Sequence, residues 1–279
     1  MGTNQPLMGI RRLVRGTIEW PRIEAVIREI AERYDRDEVR VEFIDADNWL
    51  STPCVVDDQW FVKITSDQNS LVHALFTSAR NLGAFSSGTE GFFEHFAGPD
   101  EMADHELEAT KKMREIGLNV PAPIEAFEYD GLGVLVMEYL PEFETFEQMT
   151  DERMHEHAPA LFHYLSRMHD NNLAHGDLRG ENVLVANDEI YFIDATSVKE
   201  ERINEARSYD LACALASLTP LIGARDAVMA AREHYSAEEL LAARNFLDFV
   251  NMRPDHDFDA ATVKGEIEKL ADAEDKEIG

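Results

Sequence analysis

The stretch LAHGDLRGENVLVANDEIYFIDATSV, residues 173–198, constrains this chain more than any other. It sets Asp177, Asn182 and Asp194 around two short apolar runs. VLVAN and EIYFID are β-rich and predict a hairpin. The two ends of a hairpin lie close, so Asn182 before it and Asp194 after it are placed to meet over one ion. Asp177, on the preceding loop, would face an incoming acceptor. Magnesium takes hard oxygen ligands in octahedral geometry. One amide oxygen and one carboxylate supply these without crowding a triphosphate with negative charge. A further aspartate off the metal can accept or orient a hydroxyl proton. The pattern therefore points to phosphoryl transfer, which is mainly positioning and charge neutralisation. The plain alternative is a hairpin with polar turns.

The rest of the chain reads as a β-rich part followed by a helical part. WPRIEAVIREIAERYD puts Ile23, Val26, Ile27, Ile30 and Tyr34 on one helical face, with Pro21 suited to a first turn. VRVEFIDA, CVV and WFVKIT read as strands, the last two joined by a tight turn at Asp57-Asp58. Residues 66–100 form a mixed insert rich in Phe, Gly and Ser. DEMADHELEATKKMREIG reads as a helix with Gly117 as its C-cap, and VLVMEYL as a buried strand. Helical patterns dominate from about residue 145, apart from the hairpin. The last stretch, residues 251–279, reads as a marginal helix or solvated acidic tail.

The length and a hydrophobic content of 44% suffice for one large domain or two lobes. No apolar run is long enough to span a membrane, and the sequence opens without a signal-peptide pattern, so a cytoplasmic location is expected. Cys54 and Cys213 stand far apart and read as small buried hydrophobes. Asp plus Glu number 55 against 26 Lys plus Arg, a net charge of −29 spread along the chain. A spread excess of this kind reads as adaptation to a very salty cytoplasm, where salt screens the repulsion. It also excludes general affinity for nucleic acid.

HGDLRGENVLV followed by YFIDAT resembles the catalytic and metal loops of the protein-kinase-like superfamily. The His-Gly-Asp form is similar to that of RIO-type atypical kinases and of small-molecule kinases such as aminoglycoside phosphotransferases. The resemblance covers about residues 40–225. It implies an α+β, bilobal protein-kinase-like fold, with a small β-rich N-lobe and a mostly helical C-lobe. The implied organisation is an N-terminal helical extension at 1–38, the N-lobe at 39–140 with its insert, the C-lobe at 141–250 and the tail. It makes Asp177 the catalytic aspartate and Asn182 and Asp194 the magnesium ligands. Lys63 in FVKI would grip the ATP phosphates, held by Glu106 rather than Glu108 on the following helix. Ser51 and Val56 would contact the nucleotide. Met137 would be the gatekeeper of a hinge whose Glu138 and Leu140 backbone groups bond adenine. Asp210 would brace the catalytic loop, although a helix N-cap would read the same way.

Only fifteen residues separate Asp194 from Asp210, and no Ala-Pro-Glu motif appears, unlike eukaryotic-type protein kinases. The insert after Lys63 favours the RIO type over the small-molecule kinases. The RIO resemblance implies an ATP-dependent kinase or ATPase, with a protein substrate or the small ribosomal subunit as partner. The acidic excess would suit a halophilic archaeal source. The chain departs from the family pattern at two points. The expected phosphate loop reads DADNWLST without glycine, and Phe61 stands where a small residue normally meets adenine. These departures favour a third possibility, a regulatory pseudokinase that binds nucleotide weakly.

Overall fold

The structure is a computed structural model that describes residues 18–44, 51–67, 96, 98–195, 198, 200–253 and 256–278. The chain divides into two compact units. One takes residues up to Ala79, His95–Lys111 and Pro121–Pro141, as far as they are described, and the other takes Lys112–Val120 and Glu142 onward.

The first unit is built on helix α1 (Trp20–Arg33), strands β1 (Val41–Phe43), β2 (Thr52–Val56) and β3 (Trp60–Thr65), helix α2 (Pro99–Glu115), and strands β4 (Pro123–Tyr129) and β5 (Leu132–Glu138). The strands form one antiparallel sheet in the order β1-β2-β3-β5-β4. Successive strand side chains point to opposite faces, and here both faces are covered. Cys54, Val56, Val62, Ile64, Val134 and Val136 pack against Ile23, Val26 and Ile30 of α1. On the opposite face Leu135 and Met137 pack with Ala103 and Leu107 of α2, and Phe61 lies against them. Burial on two sides explains why β5 is apolar at nearly every position. Gly133 in β5 permits this packing, since a Cβ there would lie 1.9 Å from the carbonyl oxygen of Pro99 at the start of α2. At the other end of α2, the Gly117 and Leu118 amides donate to Arg114 and Met113, which closes the helix at the predicted cap.

The second unit is mostly helical. It comprises β6 (Glu144–Thr145), α3 (Asp151–Asp170), β7 (Val183–Ala186), β8 (Glu189–Phe192), α4 (Ile203–Ile222), α5 (Ala224–Arg232), α6 (Ala237–Arg244), α7 (Leu247–Asn251) and α8 (Ala260–Ile278). Strands β6, β7 and β8 pair in that order. The β7–β8 hairpin forms as the pattern predicts, with Asn187 and Asp188 at positive φ in a two-residue turn. Helix α4 is buried along most of its length. The polar C-terminal stretch supplies α8, which packs on α5 and α6 and buries Val263 and Ile267. Of the two sequence readings, marginal helix or solvated tail, the structure thus has the helix, held by tertiary contacts rather than by its own propensity.

The chain is therefore α+β, with a β-rich and a mostly helical unit. Both cysteines are free and fully buried, and burial pushes each thiol up to about 12. Among the described residues no helix is long and apolar enough to cross a membrane.

Candidate active site

The loop from α3 to β7 carries His175, Gly176 and Asp177. Its shape is set from α4. The fully buried Asp210 carboxylate accepts the His175 amide at 2.5 Å and the Gly176 amide at 2.8 Å. Asp210 lies inside α4, not at its start, so it is a brace and not an N-cap. Gly176 has φ +77°, a conformation that costs a residue with a Cβ. Behind Asp210, His169 Nε2 lies 3.4 Å from the carboxylate, and Tyr235 Oη lies 2.9 Å from His169 Nδ1.

His175 is completely buried. Its Nε2 sits 2.9 Å from the Ile193 carbonyl, and its Nδ1 accepts the Asp177 amide at 3.3 Å. Those partners assign a neutral ring protonated on Nε2. Burial lowers its pKa, against the opposing pull of Asp210 and Asp177. The ring therefore ties the loop before β7 to the chain after β8 without adding charge.

The side chain of Asp177 is 16% exposed and held on both oxygens. Arg253 donates to Oδ1 at 3.1 Å, and the Arg179 guanidinium pairs with Oδ2 at 3.2 Å. Arg179 also pairs with Glu181. Burial pushes the Glu181 carboxyl above its usual range, only partly offset by Arg179. Asn182 is buried, and its amide nitrogen donates to the Asp177 carbonyl at 2.8 Å. That commits the nitrogen and leaves the amide oxygen as the atom that could coordinate a cation. The Ile193 amide donates to the Asn182 carbonyl at 3.1 Å, so the chain just before Asp194 is bonded to Asn182. Asp194 itself has φ +58°, uncommon for a residue other than glycine and tolerated best by Asn and Asp. These are the oxygen donors suited to magnesium, which usually takes one or two protein oxygens and fills its shell with phosphate and water.

In the first unit, Lys63 and Glu106 form a bidentate ion pair at 2.8 and 2.9 Å. Their side chains are 12% and 15% exposed. Glu108 is exposed and pairs with Lys111, so position separates the two glutamates as expected. Met137 is buried on the Lys63 face of the sheet, and Phe61 shares that face. Tyr139, after Glu138, donates its amide to the Gln59 carbonyl, which ties the Glu138–Leu140 segment to the turn before β3. Ser51 is buried, and its Oγ finds no hydrogen-bond partner among the described residues.

Val56 needs correcting. It belongs to the core against α1, on the sheet face opposite Lys63. Val55 pairs with Phe61, and Pro53 with Lys63, so Val55 occupies the Lys63 face instead. The β2–β3 turn takes three residues, because Val56 pairs with Trp60. A two-residue turn would have put Val56 on the other face, and one residue of register exchanges the faces of a strand. The glycine-free stretch 45–50, most of the insert (68–95) and Thr196 lie outside the described residues.

Sequence reasoning missed Arg253, His169 and Tyr235, and gave Arg179 no role. Arg179 stands two residues after Asp177 and could have been singled out as a cation within the motif. Arg253 lies 76 residues beyond Asp177, and nothing in the local sequence marks it.

The braced loop, the paired aspartate and the amide of Asn182 in the second unit, and the lysine–glutamate pair in the first, resemble features of protein-kinase-like phosphotransferases. A family model described as "RIO1: RIO domain" matches residues 98–211, less than half of the chain. No curated protein matches the sequence. Among solved structures, the Drosophila melanogaster PAN3 pseudokinase is 15% identical with a TM-score of 0.39, over 82% of this chain and 63% of that one. The chain thus spans under two thirds of that relative's length. An aminoglycoside-3'-phosphotransferase of type VIII is 16% identical with a TM-score of 0.48, covering 80% of this chain and 98% of that one. The Mycobacterium tuberculosis PknI kinase domain is 14% identical with a TM-score of 0.43, covering 84% and 96%.

Proposed function

We propose that this chain is a RIO-like ATP-dependent kinase or ATPase. The observation that carries it is the Lys63–Glu106 pair, largely buried in a chain where most acids are solvated. A buried pair of this kind costs desolvation and is weak support for stability, so a functional use of the lysine is the better account. Lys63 takes the α- and β-phosphates of ATP. Asn182 and Asp194 hold Mg²⁺, which neutralises phosphate charge during transfer. Asp177 accepts or orients the proton of a Ser/Thr hydroxyl, or is itself the phosphoacceptor. Ser51 donates to phosphate, Met137 backs the adenine, and Glu138 and Leu140 bond it through the backbone. A role in small ribosomal subunit maturation rests on the RIO resemblance alone, and a cytoplasmic location on the sequence reading of the cysteines and the apolar runs.

The test is ATP turnover with Mg²⁺ in high salt, with and without purified small ribosomal subunits. Turnover supports the phosphotransferase, and stimulation by the subunit supports the RIO role. Absence of turnover, with weak nucleotide binding, favours the pseudokinase. One observation supports that second reading: the Phe61 ring lies on the Lys63 face, where adenine needs room.

A further inference from the structure

We propose that Arg253 is a positioning residue for Asp177, a role that rests on the phosphotransferase reading above. Its guanidinium reaches Asp177 Oδ1 through one nitrogen and the Tyr209 hydroxyl through the other. The arginine and aspartate side chains are only 12% and 16% exposed, so solvent screens the pair little. Tyr209 is fully buried and immediately precedes Asp210 on α4. Adjacent residues of one helix thus fix the two parts of the catalytic loop. Asp210 holds the backbone before Asp177 through the His175 and Gly176 amides. Tyr209, through Arg253, holds the Asp177 carboxylate.

The far end of this link is anchored as well. Phe246 and Phe249 pack around the Tyr209 ring, at 6.1 and 5.7 Å between centroids. The Arg253 amide donates to the Val250 carbonyl, so the arginine extends directly from α7. Arginine suits the task because its planar fork serves two acceptors at once, and lysine offers only a point charge. An ionised carboxylate has about four acceptor positions. With Arg253 on Oδ1 and Arg179 on Oδ2, the Asp177 carboxylate is held in one orientation. The segment that the sequence reads as a marginal helix or solvated tail thus sends a side chain to Asp177.

The experiment compares wild type with Arg253→Met, Arg253→Lys, Tyr209→Phe, Asp177→Asn and the double variant Asp177→Asn/Arg253→Met. It reads kcat, KM for MgATP and melting temperature. Arg253→Met should lower kcat by up to about a hundredfold, the cost of misplacing a reacting group by about 1 Å, with KM unchanged. Arg253→Lys should recover part of the rate, and Tyr209→Phe should lose rate in the same direction but less. In the Asp177→Asn background, Arg253→Met should cost no further rate while still lowering the melting temperature. Wild-type kcat in Arg253→Met overturns the proposal, as does a rate loss of equal size in the Asp177→Asn background. A rise in KM with kcat unchanged also overturns it. Should Arg253→Met fail to fold, full wild-type kcat in both Arg253→Lys and Tyr209→Phe overturns it just as well. Wild type without turnover overturns the phosphotransferase reading itself, a result visible before any variant is made.

Discussion

Asp177 and Asp194 carry the same charge, and the structure surrounds them differently. Asp177 is clasped by two arginines, whereas Asp194 sits at positive φ just after the hairpin. Asp177→Asn keeps the shape and removes the charge. It should lower turnover about a hundredfold or more and leave the Kd for MgATP near wild type, as for a group acting in the transition state. Equal losses in rate and binding, read from kinetics and a titration, would assign it a structural role. Asp194→Asn should instead weaken Mg²⁺-dependent nucleotide binding, because a formal charge leaves the ion's shell. An unchanged Mg²⁺ dependence would remove Asp194 from the metal. Both positions stand out in the sequence because the motif is contiguous. Glu106 was legible by its distance from Gly117, and the ion pair with Lys63 agrees. Val56 was not, since its face depends on one extra turn residue that composition does not reveal.

At the scale of elements, the His175–Asp177 loop is held by the Asp210 side chain of α4 and, through the His175 ring, by the Ile193 carbonyl just after β8. The hairpin, α1 and the end of α2 were legible because periodicity and turn residues are local signals. Helix α8 was less so, because its stability comes from α5 and α6. The link through Arg253 was illegible for the same reason: only tertiary packing brings it to Asp177. The loop also predicts a pH response. Burial depresses the His175 pKa below its ordinary 6.5, so the unfolded chain takes up a proton there before the folded chain does. The neutral ring's contribution is therefore complete above that ordinary value and is lost as pH falls below it. The slope is at most about 1.4 kcal/mol per pH unit for one proton. Denaturant titrations from pH 7 downward should show wild type losing stability more steeply than His175→Gln, whose side chain does not titrate. Parallel slopes would mean that His175 is not the group resisting protonation.

For the whole molecule the governing quantity is charge. With 55 acidic and 26 basic residues, 29 carboxylates would remain even if every cation were paired. The described ion pairs include exposed ones such as Arg28–Glu24 and Arg40–Asp58. Pairs of that kind contribute about 0–1 kcal/mol each and weaken in salt. Added salt thus acts in two directions, screening attraction within pairs and repulsion among the excess. The excess is the larger population, and its repulsion is spread over the chain rather than held in close contacts. At about 1 M salt the screening length falls to about 3 Å, shorter than most separations among surface carboxylates. Repulsion then fades while buried pairs such as Lys63–Glu106 persist. The melting temperature should therefore rise as KCl goes from low to molar concentration. A non-ionic osmolyte at matched osmolality should reproduce only part of that rise, because it cannot screen charge. A melting temperature that stays flat or falls would contradict the halophilic reading. It would also mean that the attractive pairs outweigh the dispersed repulsion in this fold.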